Sequence, residues 1–210
     1  MKIKTIILAR GGSKGIPDKN IVDINGKPLL SYSIKAALAS KANDVWVSTD
    51  SEKIRYVATA CGASVILRPD EISGDNTKSE EALLHFAMYQ DFELLVFIQP
   101  TSPLITPEDI DAGIDMMVGY DSVFSAYREH WIPRWNLDET PDGWNMDNRP
   151  MRQDMPEKWV ENGAMYITTK KNLLSSKLRY SGKIGILEMP LHRSFQIDTP
   201  EDLELVRKLL

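Results

Sequence analysis

The residues from Ala9 to Asn20 have the types and spacing needed to hold phosphate. The run reads Ala9-Arg10-Gly11-Gly12-Ser13-Lys14-Gly15-Ile16-Pro17-Asp18-Lys19-Asn20. Its glycines permit a tight backbone whose N–H groups can turn toward an anion, and Arg10, Lys14 and Lys19 add three cations. Phosphoryl chemistry needs this arrangement, because charge on the α-phosphate and on departing pyrophosphate must be neutralised as it moves. The alternative is a solvated basic turn, and neither the Walker nor the dinucleotide-binding pattern is present.

Composition narrows the classes of protein to consider. The chain has 210 residues and a formal net charge of −5, a size that fits one domain with a complete core. An acidic chain is a poor general binder of nucleic acid, so an anionic ligand must be held by a local cluster of cations. The single cysteine, Cys61, excludes an intrachain disulfide, and the histidines match no metal-binding spacing. No stretch approaches the length of a membrane span, and we expect a cytoplasmic protein.

Short apolar runs alternate with helical patterns through the first 127 residues. Thr5–Ala9, Asp44–Thr49 and Glu93–Ile98 are typical of strands buried on both faces. Strands separated by helices predict an α/β fold whose mostly parallel sheet carries helices on both faces. Because such sheets bind ligands beyond the carboxyl ends of their strands, the loops after strands are the places to look for chemistry.

Three sequence signals predict where helices begin. Thr106-Pro107-Glu108-Asp109 and Thr199-Pro200-Glu201-Asp202 each combine an N-cap, a proline at the first helical position and an acidic first turn. Thr77-x-x-Glu80 has the pattern of a capping box. The predicted inward faces of these three helices include Leu83, Phe86, Tyr89, Ile110, Ile114, Met117, Leu203, Val206 and Leu210.

The segment 129–159 has no regular periodicity. It is too aromatic for a disordered linker and too long for an ordinary loop, so it is expected to pack against something. We interpret it as an arm that docks on a second subunit and covers part of the neighbour's active site. A lid folded on its own domain is the alternative. The segment holds four of the five tryptophans: Trp131, Trp135, Trp144 and Trp159.

Several blocks together resemble the acylneuraminate cytidylyltransferases, which activate sialic acids. The resemblance spans nearly the whole chain, and the combination of blocks is more specific than any one of them. The matching blocks are Ala9-Arg10-Gly11-Gly12-Ser13-Lys14-Gly15-x-x-x-Lys19-Asn20, Val47-Ser48-Thr49-Asp50, Leu67-Arg68-Pro69-Asp70-Glu71, Gln99-Pro100-Thr101-Ser102-Pro103-Leu104, Arg152-Gln153, Asn162-Gly163-Ala164-Met165-Tyr166-Ile167 and Ile197-Asp198-Thr199.

The resemblance implies a nucleotide-sugar transferase fold, Rossmann-like, in a single domain over 1–210. It also implies roles for individual residues. Arg10, Lys14 and Lys19 would be catalytic. CTP would be held by Ala9, Arg10, Gly11, Gly12, Asn20, Arg68 and Ser79. The sugar would be contacted by Gln99, Thr101, Ser102, Arg152, Gln153, Asn162 and Tyr166, with Arg152 near its carboxylate.

Simpler structural roles stay open for several of these residues. Thr101-Ser102-Pro103 is also compatible with a turn before a helix, and Arg68-Pro69-Asp70 with a turn carrying a surface ion pair. Arg152 has Asp154 and Glu157 nearby in sequence as ion-pair partners. Asp50 is suited to cap the helix that follows it.

The carboxyl-terminal block departs from the family pattern. Sialic acid synthetases of this type usually show Asp-Ile-Asp, whereas this chain has Gln196-Ile197-Asp198. One carboxylate with triphosphate oxygens and water can hold Mg²⁺, so Asp198 is the expected metal ligand. A hydrogen bond from nearby backbone to Asp198 is the alternative, and the number of metal ions stays open.

The expected reaction is in-line attack of the sugar's anomeric hydroxyl on the α-phosphorus of CTP, giving the CMP-sugar and pyrophosphate, in a homodimer. One alternative is a cytidylyltransferase for another acid, such as 3-deoxy-octulosonate or legionaminic or pseudaminic acid. A second alternative is a nucleotide-sugar binding protein without turnover. The glutamine at position 196 is its only support, and the intact first loop argues against it.

Overall fold

The computed structural model describes residues 1–13 and 15–210, and Lys14 lies outside the described residues. Strands and helices alternate through the first part of the chain, as predicted. The strands are β1 Ile3–Leu8, β2 Asp23–Ile24, β3 Lys27–Pro28, β4 Val45–Thr49, β5 Ser64–Leu67, β6 Leu94–Ile98, β7 Ser122–Glu129, β8 Lys158–Thr169 and β9 Ile184–Glu188. The helices are α1 Leu29–Leu38, α2 Glu52–Ala60, α3 Ser79–Tyr89, α4 Pro107–Met116, α5 Lys170–Ser176 and α6 Pro200–Leu209.

The main sheet of the described chain has the strand order β5-β4-β1-β6-β8-β7-β9. The β1–β4, β1–β6, β4–β5 and β7–β9 pairs are parallel, whereas β8 runs antiparallel to β6 and β7. The prediction of a mostly parallel sheet is confirmed. After β1 the chain builds outward to β4 and β5, and then returns to place β6 on the other side of β1. A crevice is expected at such a reversal of strand order.

Alternating side chains of the central strands pack against helices on both faces. Ile7 and Val96 join one apolar cluster with residues of α1, α2 and α4. Their neighbours Ile6 and Leu95 join a second cluster with residues of α3 and α5. Burial on both faces is the reason these strands read as continuous apolar runs.

Helix α6 fixes the carboxyl-terminal loop against the first loop. Its buried Leu203 and Val206 pack with Ile16 and Ile24, and Ile197 lies in the same cluster. This packing brings the chain around Asp198 to the end of the sheet where β1 stops.

Two of the three predicted helix starts are confirmed. Thr106 and Asp109 form a reciprocal capping box on α4, and Thr199 and Asp202 do the same on α6. The capping box predicted at Thr77 and Glu80 is wrong.

Helix α3 begins one residue later than that box requires. Its N-cap is Lys78, whose backbone N–H donates to the Glu81 carboxylate at 3.2 Å. Glu80 is engaged elsewhere, because Arg179 binds its carboxylate through Nε at 2.6 Å and through Nη2 at 3.1 Å.

The buried apolar faces of these three helices end earlier along the chain than the sequence predicts. Leu83 and Phe86 are buried as predicted, whereas Tyr89 is 68% exposed. Leu210 is also exposed, and Met117 is only partly buried against the core. Each lies at the last turn of its helix or just beyond it.

The segment 129–159 is irregular over most of its length, although β7 ends at Glu129 and β8 begins at Lys158. Trp144 packs edge-on against Trp131 and Trp135, with ring centroids 6.3 and 5.1 Å apart. The Trp144 indole also donates to the Arg134 carbonyl at 2.8 Å. Aromatic contacts within the segment 129–159 therefore hold this part of it together.

Among the described residues, none of the helices is long and apolar enough to cross a membrane.

The packing of α3 gives a test of the fold. Phe86→Ala should lower the free energy of unfolding by about 3–5 kcal/mol, because it removes a fully buried ring. Tyr89→Ala, three residues on, should cost no more than about 1 kcal/mol. Denaturant unfolding of both variants would measure the difference, and equal losses would contradict this placement of the helix.

Candidate active site

A cavity of about 250 Å³ opens at the carboxyl ends of β1 and β6. Its described lining contains four cationic side chains, from Arg10, Lys19, Arg68 and Lys78, and no carboxylate. The rest of the described lining is Leu8, Ser13, Gly15, Asn20, Gly74, Thr77, Ser79, Phe97, Gln99, Pro100 and Thr101. In a chain of net charge −5, this is a local concentration of positive charge suited to a polyanion.

The loop after β1 forms one wall of the cavity. Two of its glycines, Gly11 and Gly15, are needed because neighbouring loops pack closely against them. A Cβ on Gly15 would lie 2.8 Å from the Asp198 carbonyl oxygen, and one on Gly11 would lie 3.0 Å from Ser51 Cβ. Gly12 has open space around it. None of the three has a positive φ, so the glycines at 11 and 15 permit close approach of neighbouring loops and do not supply left-handed turns.

Asparagine and aspartate side chains hold the backbone of this loop. Asn20 is buried, and its Nδ2 donates to the Arg10 carbonyl at 2.9 Å. The Gly11 N–H donates to Asp50 Oδ1 at 2.8 Å. Asp50 therefore binds the loop and does not cap α2, whose N-cap is Ser51. Ala9 is fully buried behind the loop.

Two cations of the loop are paired at the rim of the cavity. Arg10 Nη1 lies 2.5 Å from Asp75 Oδ1. Lys19 Nζ lies 2.9 Å from Asp198 Oδ1 and donates to the Ile197 carbonyl at 3.0 Å. Loops from three parts of the sequence thus meet at these side chains.

Arg68 reaches the cavity from the end of β5 and is only 8% exposed. Its Nη2 donates to the Ser48 carbonyl at 3.2 Å, whereas its buried Nε has no partner among the described residues. Burial lowers the pKa of Arg68 and the charge of Arg10 lowers it further, while Asp50 opposes both effects. A buried cation with a spare donor is costly unless a ligand supplies an acceptor.

The block after β6 forms the opposite wall. Gln99 and Thr101 line the cavity, and Ser79 joins them from the start of α3. The Ile197 N–H donates to the Thr101 carbonyl at 2.9 Å, which ties this block to the carboxyl-terminal loop. Ser102 lies behind the wall, almost fully buried.

Gln196 packs into this wall against Gly163. Its Nε2 donates to Ser102 Oγ at 3.2 Å and to Gln99 Oε1 at 3.4 Å. Gly163 has a φ of +69°, and a Cβ there would lie 2.3 Å from Gln196 Nε2. The glycine is therefore required by both its backbone conformation and its neighbour.

Five of the seven predicted sugar contacts do not line this cavity: Ser102, which lies behind the wall, and Asn162, Tyr166, Arg152 and Gln153. Asn162 is buried, and its amide accepts from Ser125 Oγ at 2.7 Å and donates to Ser194 Oγ at 2.9 Å. The Tyr166 hydroxyl donates to Glu161 and is buried; burial, followed by that bond, raises its pKa. Arg152 and Gln153 lie exposed on the irregular segment.

Arg152 makes no ion pair with any described residue. Glu157 instead pairs with Arg128 at 3.3 Å and with His130 at 3.1 Å. Arg152 lines a separate cavity of about 680 Å³ in the segment, together with Trp131, Ile132, Pro133, Arg149, Pro150 and Met151.

A family model described as Cytidylyltransferase matches residues 5–209 of this chain. The chain belongs to that cytidylyltransferase family.

Relatives in this family share the sequence over almost all of the chain. The N-acylneuraminate cytidylyltransferase B of Danio rerio is 39% identical over 94% of this chain and 48% of its own length. The N-acylneuraminate cytidylyltransferase of Streptococcus agalactiae serotype V is 33% identical over 96% of this chain and 52% of its own length. The chain thus spans about half the length of these curated relatives. The CMP-N,N'-diacetyllegionaminic acid synthase of Legionella pneumophila is 33% identical, over 100% of this chain and 97% of its own length.

Solved structures share the fold. A CMP:2-keto-3-deoxy-manno-octonic acid synthetase solved in complex with CTP has a TM-score of 0.76 at 20% identity, covering 100% of this chain and 98% of its own. The 4-diphosphocytidyl-2C-methyl-D-erythritol synthase of Anaerococcus prevotii has a TM-score of 0.70 at 13% identity, covering 99% and 97%.

A divalent ion fits the rim of this cytidylyltransferase cavity. No group of three or more His, Cys, Asp or Glu side chains suited to a metal is present among the described residues. Asp198 nevertheless offers an exposed carboxylate beside the cationic loop. Mg²⁺ is commonly held by one or two carboxylates together with substrate phosphates and water, so Asp198 alone is compatible with it.

Several residues at the site were not predicted from the sequence. Lys78, Thr77 and Phe97 line the cavity, and Asp50 and Asp75 hold the first loop. The position of Asp50 directly after a buried strand was a usable signal. Asp75 and Lys78 lie in a loop with no motif, and only the folded chain brings them to Arg10 and the cavity.

The packing of Gly163 can be tested against a glycine of similar conformation. Gly163→Ala and Gly26→Ala should both cost about 1–2 kcal/mol of stability, because both glycines have positive φ. Gly163→Ala should cost at least about 1 kcal/mol more, since only its Cβ overlaps a side chain. Urea unfolding measures both variants, and equal losses would show that Gln196 moves aside freely.

Proposed function

We propose that this chain transfers the cytidylyl group of CTP to a nine-carbon acidic sugar of the sialic acid type, releasing pyrophosphate. The carrying observation is the cavity at the β1–β6 reversal, whose described lining has four cations and no carboxylate. Family membership and relatives named for N-acylneuraminate and legionaminic acid support this choice of substrates.

Arg10 and Lys19 would bind the triphosphate from the loop after β1. Lys14, in the same loop, is expected to do the same, although it lies outside the described residues. These cations would offset the charge that develops on the α-phosphate and on the leaving pyrophosphate. The backbone of Ala9, Gly11 and Gly12 would contribute N–H donors once the nucleotide is bound.

Arg68 and Ser79 would recognise the cytosine base. Cytosine presents carbonyl and ring-nitrogen acceptors on one edge, and the buried Arg68 has a spare donor. Asn20 would act by holding the loop, through its bond to the Arg10 carbonyl.

The sugar would lie against Gln99 and Thr101 beyond the end of β6. Ser102, Asn162 and Tyr166 would support this wall from behind, because each is almost fully buried. The anomeric oxygen would attack the α-phosphorus as the bond to pyrophosphate breaks, and alignment by the two walls would supply much of the rate. No histidine or cysteine is among the described lining residues, which favours direct transfer over a covalent enzyme intermediate.

Asp198 would hold Mg²⁺ together with phosphate oxygens. The ion would supply charge neutralisation on the triphosphate. Lys19 would then exchange its ion pair with Asp198 for contacts with the phosphates.

The reaction is tested by a matrix of four nucleotides and several acids. CTP with N-acetylneuraminate or diacetyllegionaminate and Mg²⁺ should release pyrophosphate and give a CMP-sugar, whereas ATP, GTP and UTP should not. Chelation of Mg²⁺ should abolish the release. Turnover confined to 3-deoxy-octulosonate would reassign the sugar, and CTP binding without turnover on any acid would favour the binding-protein alternative.

The irregular segment would form the interface of a homodimer. It keeps large apolar side chains exposed, among them Ile132, Trp135 and Met151, although its tryptophans already pack on one another. Arg152 does not line the cavity of its own chain, so in a dimer it would reach the carboxylate of the neighbour's sugar.

Sedimentation tests this assembly. The chain should sediment as a dimer at high concentration, and Ile132→Glu should shift it toward monomer because a charge would be buried at the interface. Met88→Glu, on an exposed turn of α3, is the matched control and should stay dimeric. If the wild-type chain sedimented as a monomer at every concentration, the homodimer would be contradicted and the alternative of a lid folded on its own domain would be supported.

A further inference from the structure

Carboxylates from two other loops flank the phosphate-binding cations. Asp75 pairs with Arg10 on one side of the cavity, and Asp198 pairs with Lys19 on the other. Neither carboxylate is part of the described cavity lining. Both therefore bind cations of the cavity from outside its described lining, so a phosphate that binds either cation would compete with one of these ion pairs.

The two carboxylates differ in the role that each is expected to have when nucleotide arrives. Asp198 is the candidate ligand of a divalent ion, which would compensate its charge beside the phosphates. Asp75 lies on the other flank, in the loop between a short helical turn at Asp70–Ile72 and helix α3. Its neighbours Gly74 and Thr77 line the cavity, so a phosphate bound by Arg10 comes close to the Asp75 carboxylate.

We propose that Asp75 competes with phosphate for Arg10 and thereby sets the affinity of the site for triphosphate and for pyrophosphate. The carboxylate holds Arg10 until a phosphate displaces it. It pairs with Arg10 again as pyrophosphate departs, which shortens the time for which the product stays bound. This proposal takes the identity of the nucleotide from the proposed function. The competition between Asp75 and a bound anion does not depend on that function.

The size of the effect follows from the exposure of the pair. The side chains of Arg10 and Asp75 are 31% and 40% exposed. A partly exposed ion pair contributes modestly, up to about 1 kcal/mol, which corresponds to about a fivefold change in affinity. Loss of like-charge repulsion toward the phosphate acts in the same direction.

Binding of inorganic triphosphate tests the competition directly. Isothermal titration calorimetry of the full chain should show that Asp75→Asn binds triphosphate and pyrophosphate about three- to tenfold more tightly than wild type. Asn keeps the size of the side chain and removes its charge. Asp75→Ser also removes the charge and should likewise tighten the binding of triphosphate. This second variant replaces Asp75→Asn in the test if the Asn variant folds poorly.

Glu71→Gln is the matched control. It removes one negative charge from the helical turn just before the Asp75 loop, and the side chain of Glu71 is exposed, with no hydrogen bond or ion pair to any described residue. Its affinity for triphosphate should stay within about twofold of wild type. An equal gain in Glu71→Gln would show a general charge effect of the loop and would overturn the specific role of Asp75.

Unchanged or weaker binding in both Asp75 variants would also overturn the proposal, because it would mean that Asp75 orients Arg10 for phosphate or has no part in binding. In turnover assays, the KM for CTP and the inhibition constant of pyrophosphate should fall together. If the chain turns over no sugar, the proposed function fails, yet the calorimetric comparison still decides the role of Asp75.

Discussion

Repulsion between like charges is the constraint on which this site depends. Arg10, Lys19, Arg68 and Lys78 converge on one cavity, and neighbouring groups offset the charge of the first three. Asp75 and Asp198 pair with two of them, the Ser48 carbonyl accepts from Arg68, and Asp50 acts on Arg68 over a longer distance. These groups come from three separate parts of the chain: Ser48 and Asp50 from the end of β4, Asp75 from the loop before α3 and Asp198 from the loop before α6. The local charge balance therefore requires the fold that brings these parts together.

The topology of the sheet brings these loops together. β1 has parallel neighbours on both sides, β4 and β6, and the carboxyl ends of all three point to the same edge. The first loop, Asp50 and Gln99 follow these three strands directly. Helix α6 then clamps the carboxyl-terminal loop onto Gly15, where there is no room for a side chain. The distance between Lys19 and Asp198 is thus fixed by Gly15, by helix α6 and by the order of the strands around β1.

Much of this arrangement could be predicted from the sequence, because its causes are local. Buried strands read as apolar runs, and the capping residues of α4 and α6 bind within their own first turns. The start of α3 was predicted wrongly because Glu80 is bound by Arg179, 99 residues away. The bonds that hold Arg10, Asn162 and Gln196 are likewise long-range contacts, which no local pattern encodes. The first loop was predicted to bind phosphate from the types and spacing of its residues, but its counter-ions could be seen only in the folded chain.

The most direct test of the central claim is a crystal structure of the chain with CTP and Mg²⁺ bound. The account predicts that the triphosphate lies in the cavity with its oxygens on Arg10 and Lys19, that Asp75 has left Arg10, and that cytosine contacts Arg68. A triphosphate bound elsewhere, with the loop after β1 facing solvent and both ion pairs intact, would contradict it.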